Sequence, residues 1–194
     1  MYDLLLKKID QFVEMSPEEK EILSSKFFLR SIKKNEVLLP FGDICKDLYF
    51  INKGLIRFYY PTDDGKEITG FIFEEGLFAT SNESFFTQTP SLQILESLEE
   101  GEVLCISYQA LMELFQLVPK TIEFVMKISI RRMSEAQKVV ASLIMHKPED
   151  RYISFLEKRP DLAGRIPQGV LATYLGITPV SLSRIRKRIT EKGD

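Results

Sequence analysis

The stretch that most limits what this chain can fold into runs from Gln168 to Lys187, QGVLATYLGITPVSLSRIRK. Counting Gln168 as the first position, the fifth is Ala172, small enough for a second helix to cross close to it. The ninth is Gly176, where a tight turn needs a left-handed backbone that glycine adopts without steric cost. Leu171, Leu175, Ile177, Leu182 and Ile185 fall at the spacings that hold two short helices together. Thr178 is a good N-cap and Pro179 a good first helical residue. The pattern predicts a helix-turn-helix, the unit that lays its second helix in the DNA major groove. The plainer alternative is a helical hairpin with a glycine turn. The second helix, expected from Pro179 to about Ile189, ends in Arg184, Arg186, Lys187 and Arg188, which favours DNA.

Charge divides the chain the same way. Residues 1–150 hold 17 Lys and Arg against 24 Asp and Glu, a balance of −7. Residues 151–194 hold 9 against 4, a balance of +5, as a basic module on an acidic regulatory body requires. Cys45 and Cys105 lie far apart in apolar surroundings, and no Cys-x-x-Cys occurs, so zinc and iron–sulfur sites are not expected and buried free thiols are. His146 is the only histidine, which removes Ser-His-Asp and Cys-His catalysis. It is read as structural or exposed. No apolar run approaches membrane-spanning length, and MYDLLLKKIDQF lacks the features of a secretion signal, so the expected location is the cytoplasm.

Residues 1–30 read as short helices, one opened by Ser16-Pro17-Glu18-Glu19 with a cap, an early proline and acidic residues on the helix dipole. From about 31 to 108 short β runs alternate with turns. The candidates are Val37–Leu39, Leu48–Asn52, Ile56–Tyr60, Ile68–Phe73, Leu92–Glu99 and Val103–Ser107, which predict an antiparallel barrel or roll. A long helix follows from about Pro119 to His146. In it Ile122, Met126, Ser129, Met133, Ala136, Val140 and Leu143 make a heptad seam, with Val125, Ile128 and Val139 as a second stripe. One stripe suits the barrel and the other a second copy of the chain; the alternative is that both are intrachain core. Lys147-Pro148 ends the helix, Glu149–Lys158 is a further helix, and Arg159–Pro167 is a linker.

Barrel, long helix and helix-turn-helix, carried by LYFINKGLIRFYY at 48–60, DDGKE at 63–67 and LATYLGITPVSLSRIRK at 171–187, resemble the cyclic-AMP receptor/FNR (Crp/Fnr) family of bacterial transcription regulators. The resemblance implies an α+β chain with three parts. These are a cyclic-nucleotide-binding-like antiparallel β-roll sensor at 1–118, a dimerisation helix at 119–147 and a helix-turn-helix domain at 148–194. Its implied partners are DNA, a second copy of the chain and RNA polymerase, with an effector of unknown identity and no membrane. The two recognition helices of the dimer would enter successive major grooves of a pseudo-palindrome.

Departures from the family's pattern sharpen the expectation. Its nucleotide-binding members hold the ribose with a Gly-Glu pair, and the cyclic phosphate with an Arg followed by a small hydroxyl residue. Here the Gly-Glu position falls on Thr80-Ser81, the Arg position falls near Ser91, and no Arg or Lys occurs between Lys66 and Lys120. A cyclic phosphate normally meets a cation or a helix N-terminus. Cyclic AMP is therefore not the expected effector, no ligand residues carry over, and no cofactor is expected. Phe78, Phe85 and Phe86 suggest an apolar pocket or packed core. The iron–sulfur and haem branches need cysteines or a histidine that this sensor lacks. The family's β-hairpin wing does not fit in Thr190–Asp194, so a full wing is not expected.

At the reading end, Thr178 and Ser181 suit phosphate or base edges. Arg184 matches the family's base-contacting Arg, suited to a bidentate grip on guanine. Pro179 and Val180 stand where the family often has charged readers, and Val180 suits a thymine methyl. Gln168 is a candidate phosphate contact. Arg186, Lys187 and Arg188 read as phosphate neutralisers or as a solvated helix end. The leading function is transcription regulation by a homodimer. The first rival is a sensor that signals through protein contacts without specific DNA binding. An enzyme finds no phosphate loop, metal cluster or nucleophile–base pair, and Asp63-Asp64 and Glu74-Glu75 sit at turns.

Overall fold

The fold is taken from a computed structural model, in which the structure describes residues 1–193. Among them, eight strands form in chain order: β1 Phe28–Ile32, β2 Val37–Leu39, β3 Asp47–Lys53, β4 Ile56–Pro61, β5 Glu67–Phe73, β6 Phe78–Ala79, β7 Ile94–Ser97 and β8 Gly101–Ser107. They make two four-stranded sheets, ordered β1-β8-β3-β6 and β2-β7-β4-β5. β8 is the spine of the first, antiparallel both to β1, with Phe28 opposite Cys105, and to β3, with Tyr49 opposite Cys105. Its run Val103–Ile106 is wholly buried, so both faces are covered. Phe50, Ile51, Ile56, Ile72, Phe73 and Leu95 complete this core. Each such side chain contributes about 1.5–3 kcal/mol by leaving water. Gly101 is fixed by a close approach, because a Cβ there would fall 2.1 Å from the Lys53 carbonyl oxygen.

The helices are α1 Asp3–Asp10, α2 Pro17–Ser25, α3 Asn82–Thr87, α4 Tyr108–Leu117, α5 Lys120–Met145, α6 Pro148–Lys158, α7 Pro160–Ala163, α8 Gln168–Tyr174 and α9 Pro179–Gly193. The start of α2 has the expected cap. The Glu19 N–H donates to Ser16 Oγ at 3.2 Å, and the Ser16 N–H donates to Glu19 Oε2 at 2.7 Å. Helix α5 holds 26 residues, and of these Thr121 and Phe124 are buried. Among the described residues no helix is long and apolar enough to cross a membrane.

The chain divides into two compact units, Met1–Phe58 with Ile72–Arg132, and Tyr59–Phe71 with Met133–Asp194. Helix α5 therefore contributes to both. The expected pieces at 1–118, 119–147 and 148–194 do not anticipate that the tip of the β4–β5 hairpin groups with the C-terminal helices. A local bond accompanies that grouping. The Thr173 hydroxyl on α8 donates to Thr69 Oγ1 at 2.9 Å and accepts from the Thr69 N–H at 3.3 Å.

Several elements depart from the sequence expectation. Residues 28–30 are strand, where short helices were expected to run through residue 30. Pairing with β8 decides this, and that partner lies far along the chain. Helix α7 falls in the segment expected to be a linker, and strand β6 and helices α3 and α4 fall where the sequence reading assigns no element. Helix α9, expected to end near Ile189, continues to Gly193, and Asp194 lies outside the described residues.

Candidate functional site

The C-terminal unit is built on a small core of Tyr152, Phe155, Leu162, Ile166, Leu171, Ala172, Leu175, Leu182 and Ile185, all buried. Phe155 meets Tyr174 edge to face at 6.1 Å. Helix α8 ends in a glycine-dependent hook. Gly176 has φ +67°, the Ile177 N–H donates to the Ala172 carbonyl at 3.0 Å, and the Gly176 N–H donates to the Thr173 carbonyl at 3.0 Å. This pairing satisfies the last carbonyls of α8 and turns the chain into α9. Thr178 then caps α9, accepting from the Ser181 N–H at 3.1 Å.

The hook and cap place the expected reading residues together. Thr178 Oγ1 lies 2.9 Å from Ser181 Oγ, and Gln168 Nε2 donates to the Pro179 carbonyl at 3.4 Å. Gln168, Thr178, Pro179 and Ser181 thus cluster at the start of α9. Val180, Arg184 and Lys187 follow at helical spacing along one exposed face. Val180 is 61% exposed. Arg184 has no side-chain partner among the described residues. Lys187 has only a loose ion pair with Glu191 at 3.8 Å among them. The first turn of α9 carries no acidic residue that would repel an anion.

The neighbouring arginines behave differently from the sequence reading. Arg186 Nε donates to the Tyr152 hydroxyl at 3.1 Å, and its guanidinium sits 5.7 Å from the centre of that ring. It ties α9 to α6 instead of pointing outward as a phosphate neutraliser. Arg188 pairs with Glu149 at 3.4 Å. Tyr152 escaped the sequence reading, since nothing local marks an anchor for a basic residue on a helix so far along the chain.

All seven seam positions on α5 are exposed: Ile122, Met126, Ser129, Met133, Ala136, Val140 and Leu143. Ile130, Ile144 and Met145 add further exposed apolar surface to the helix. On a different face Phe124 is buried and Val125 and Ile128 are half-buried. The intrachain-core alternative therefore fails for the seam itself.

In the roll, Ser81 and Ser91, at and near the places where the resemblance sets a Glu and an Arg, are both buried. Their hydroxyls hydrogen-bond at 3.0 Å, and Ser91 Oγ also lies 2.8 Å from the Gln93 carbonyl. The Thr80 hydroxyl reaches the Asp47 carbonyl at 3.3 Å and Cys45 Sγ at 3.2 Å. Ser84 Oγ accepts from the Cys45 N–H at 2.8 Å and donates to the Thr89 carbonyl at 2.6 Å. The hydroxyls of this segment are thus committed to the protein itself. On β4, Arg57 Nε donates to Glu96 Oε2 at 2.8 Å in a largely buried ion pair.

Phe85 is core, whereas Phe78 and Phe86 line a shallow open groove with Phe124, Ile128, Ser129 and Arg132. The two thiols are free and buried. Burial pushes Cys105 up to about 12, helped by the negative charge of Asp47. Burial also raises Cys45, against the opposing hydrogen bond from Thr80. His146 is exposed, with Nδ1 3.2 Å from Ser142 Oγ. Among the described residues no three His, Cys, Asp or Glu side chains are grouped to hold a metal ion.

Comparison with known proteins agrees with this geometry. The cyclic nucleotide-binding domain family matches residues 29–117. Electron transport regulator A of Shewanella oneidensis is 27% identical over 182 residues, covering 84% of this chain and 69% of that protein. Transcriptional activator protein FnrA of Stutzerimonas stutzeri is 27% identical over 176 residues, covering 84% and 71%. The same fold occurs in the c-di-GMP responsive global regulator CLP of Xanthomonas campestris, with TM-score 0.73 and 21% identity over 92% of this chain and 93% of that one. It occurs again in FixK2 of Bradyrhizobium japonicum, with TM-score 0.76 and 16% identity over 86% of each chain. Residues 29–117 thus match the cyclic nucleotide-binding domain family, and with its long helix and C-terminal helical unit the chain is similar to regulators of the Crp/Fnr type.

Proposed function

We propose that this chain is a sequence-specific DNA-binding transcription regulator, acting as a cytoplasmic homodimer on a pseudo-palindromic operator and not governed by cyclic AMP. The observation that carries the reading is the pair α8 and α9, hooked at Gly176 and presenting Thr178, Val180, Ser181, Arg184 and Lys187 on one exposed end and face. The names of the relatives support it, since they are a regulator and a transcriptional activator. Thr178 and Ser181 offer hydroxyls at a positive helix terminus, Arg184 offers the bidentate donor, and Lys187 neutralises phosphate. The exposed seam on α5 supports pairing with a second copy, with RNA polymerase as the further protein partner. The reading includes no catalytic step.

The test is selection of bound fragments from a random duplex pool in moderate salt, followed by anisotropy titration. An inverted repeat with half-sites about 10 base pairs apart is expected. Binding without any enriched motif overturns the reading and leaves the chain as a sensor acting through protein contacts.

A further inference from the structure

One arginine gathers three helix ends in the C-terminal unit. Helix α5 stops at Met145 and helix α8 at Tyr174, and a helix end leaves carbonyls that no helical N–H takes. In α8 the hook answers two of them, at Ala172 and Thr173. The carbonyl of Leu175, a buried residue, is taken by a side chain: Arg151 Nε donates to it at 2.9 Å. Nη1 of the same guanidinium donates to the His146 carbonyl, just past α5, at 2.6 Å. Arg151 stands in the opening turns of α6, and its own N–H donates to the Lys147 carbonyl at 3.1 Å. Two helix C-termini, each partly negative, thus share one cation whose donors lie in a rigid plane. The turn itself lies against the same place. A Cβ on Gly176 would stand 2.8 Å from Leu143 Cδ2 on α5 and 3.8 Å from Arg151 Nη2.

We propose that Arg151 is a positioning residue: its planar fork fixes the direction in which α8 and α9 leave the end of α5. It touches no base. It acts through Leu175, one residue before the glycine that turns the chain into α9. Where two copies pair along α5, that direction sets the distance and rotation between their α9 helices, and with them the half-site spacing that the pair accepts. This consequence rests on the proposed DNA-binding function; the clamp does not. A lysine cannot replace the arginine, because a single ammonium presents no fixed pair of donors. Arg186 and Tyr152 do a different job, since they join α6 to α9 beyond the turn.

The first measurement needs no DNA. Spin labels at Lys138→Cys on α5 and Ser183→Cys on α9, both exposed, report the distance between the two helices by double electron–electron resonance. Labelled full chain is diluted into unlabelled chain, so each signal comes from within one copy; Cys45 and Cys105 are buried and stay unlabelled. The chain with Arg151 in place should give one narrow distance peak. Arg151→Met, which keeps an apolar stem and removes the donors, should roughly double its width, and Arg151→Lys should stay equally broad. Leu162→Ala, which empties a buried place in the same unit, should lower Tm at least as much and leave the peak narrow. The second measurement titrates operators from the fragment selection with their half-sites moved one base pair closer or further apart, a rotation of about 35°. The chain with Arg151 should lose about tenfold in affinity at either shifted spacing and Arg151→Met about twofold or less, with preference inside each half-site unchanged. A narrow peak in Arg151→Met or Arg151→Lys, a broad peak with Arg151 in place or in Leu162→Ala, or an unchanged spacing preference in Arg151→Met overturns the proposal. If no operator is enriched while Arg151→Met broadens the peak, the regulator reading alone is removed and the clamp stands.

Discussion

Ser81 and Ser91 join hydroxyl to hydroxyl at 3.0 Å, and both side chains are buried in the roll. A short neutral contact thus fills this place and leaves no charged group in it. The surrounding hydroxyls of Thr80 and Ser84 are likewise bonded to backbone groups, so this part of the roll behaves as core.

Ser84 is the member of that network whose loss leaves the most behind. Ser84→Ala strands the buried Cys45 N–H and the Thr89 carbonyl. The expected loss is about 1–3 kcal/mol in urea unfolding. A change no larger than that of an exposed Ser→Ala control contradicts the assignment.

The thiols should be inert while the chain is folded. Burial raises both, Cys105 up to about 12, so neither forms much thiolate near neutral pH. Modification by a disulfide reagent at pH 8 should run at least about 100-fold slower than in denaturant. Fast native labelling of either cysteine would show that the burial does not hold in solution.

Gly176→Ala places a side chain on a backbone at φ +67° and sets its Cβ 2.8 Å from Leu143 Cδ2, a flexible side-chain tip. The expected cost is about 1 kcal/mol or somewhat more, read as a lower Tm. Gly176→Asn should cost less, because asparagine tolerates the left-handed region better.

For DNA, Arg184→Ala should cost about 1–3 kcal/mol at the selected operator and relax one base position. Lys187→Ala should weaken all sequences alike and reduce the salt slope by about one. An Arg184 variant with unchanged sequence preference, measured by competition anisotropy, takes that residue out of base reading.

Met133 lies mid-seam and is 60% exposed. Met133→Glu should shift the dimer dissociation constant by tenfold or more, since two buried carboxylates would face each other near the symmetry axis (about 1.4 kcal/mol per tenfold). Lys138→Gln, on the side of the helix away from the seam, should leave it unchanged. Sedimentation of the two variants at matched concentration decides between them.

What could be read from the residues depended on how local the cause was. The hook at Gly176 and the cap at Thr178 are set within a few positions, and both formed as expected. The capping box at Ser16 and Glu19 was equally legible. Strand β1 was not, because Phe28, Leu29 and Arg30 take their conformation from Cys105, Leu104 and Val103 across the sheet. Helix α4 did carry a signal that was passed over: Ser107 caps it, accepting from the Ala110 N–H at 3.2 Å, ahead of an apolar stripe at Leu111 and Leu114. Of the candidate site, the capped N-terminal end of α9 and the exposed apolar stripe of α5 follow from spacing. The tie between Arg186 and Tyr152, and the groove that gathers Phe78, Phe86 and Arg132, needed elements that only folding brings together.

Helix α5 has one more consequence. Its 26 residues, Lys120–Met145, contain neither glycine nor proline, so the rod has no built-in place to bend. It extends about 39 Å at the usual rise per residue. Each joint beside it carries a proline, Pro119 just before Lys120 and Pro148 just after Lys147, so the backbone leaves helical geometry at a fixed place on either side of the rod.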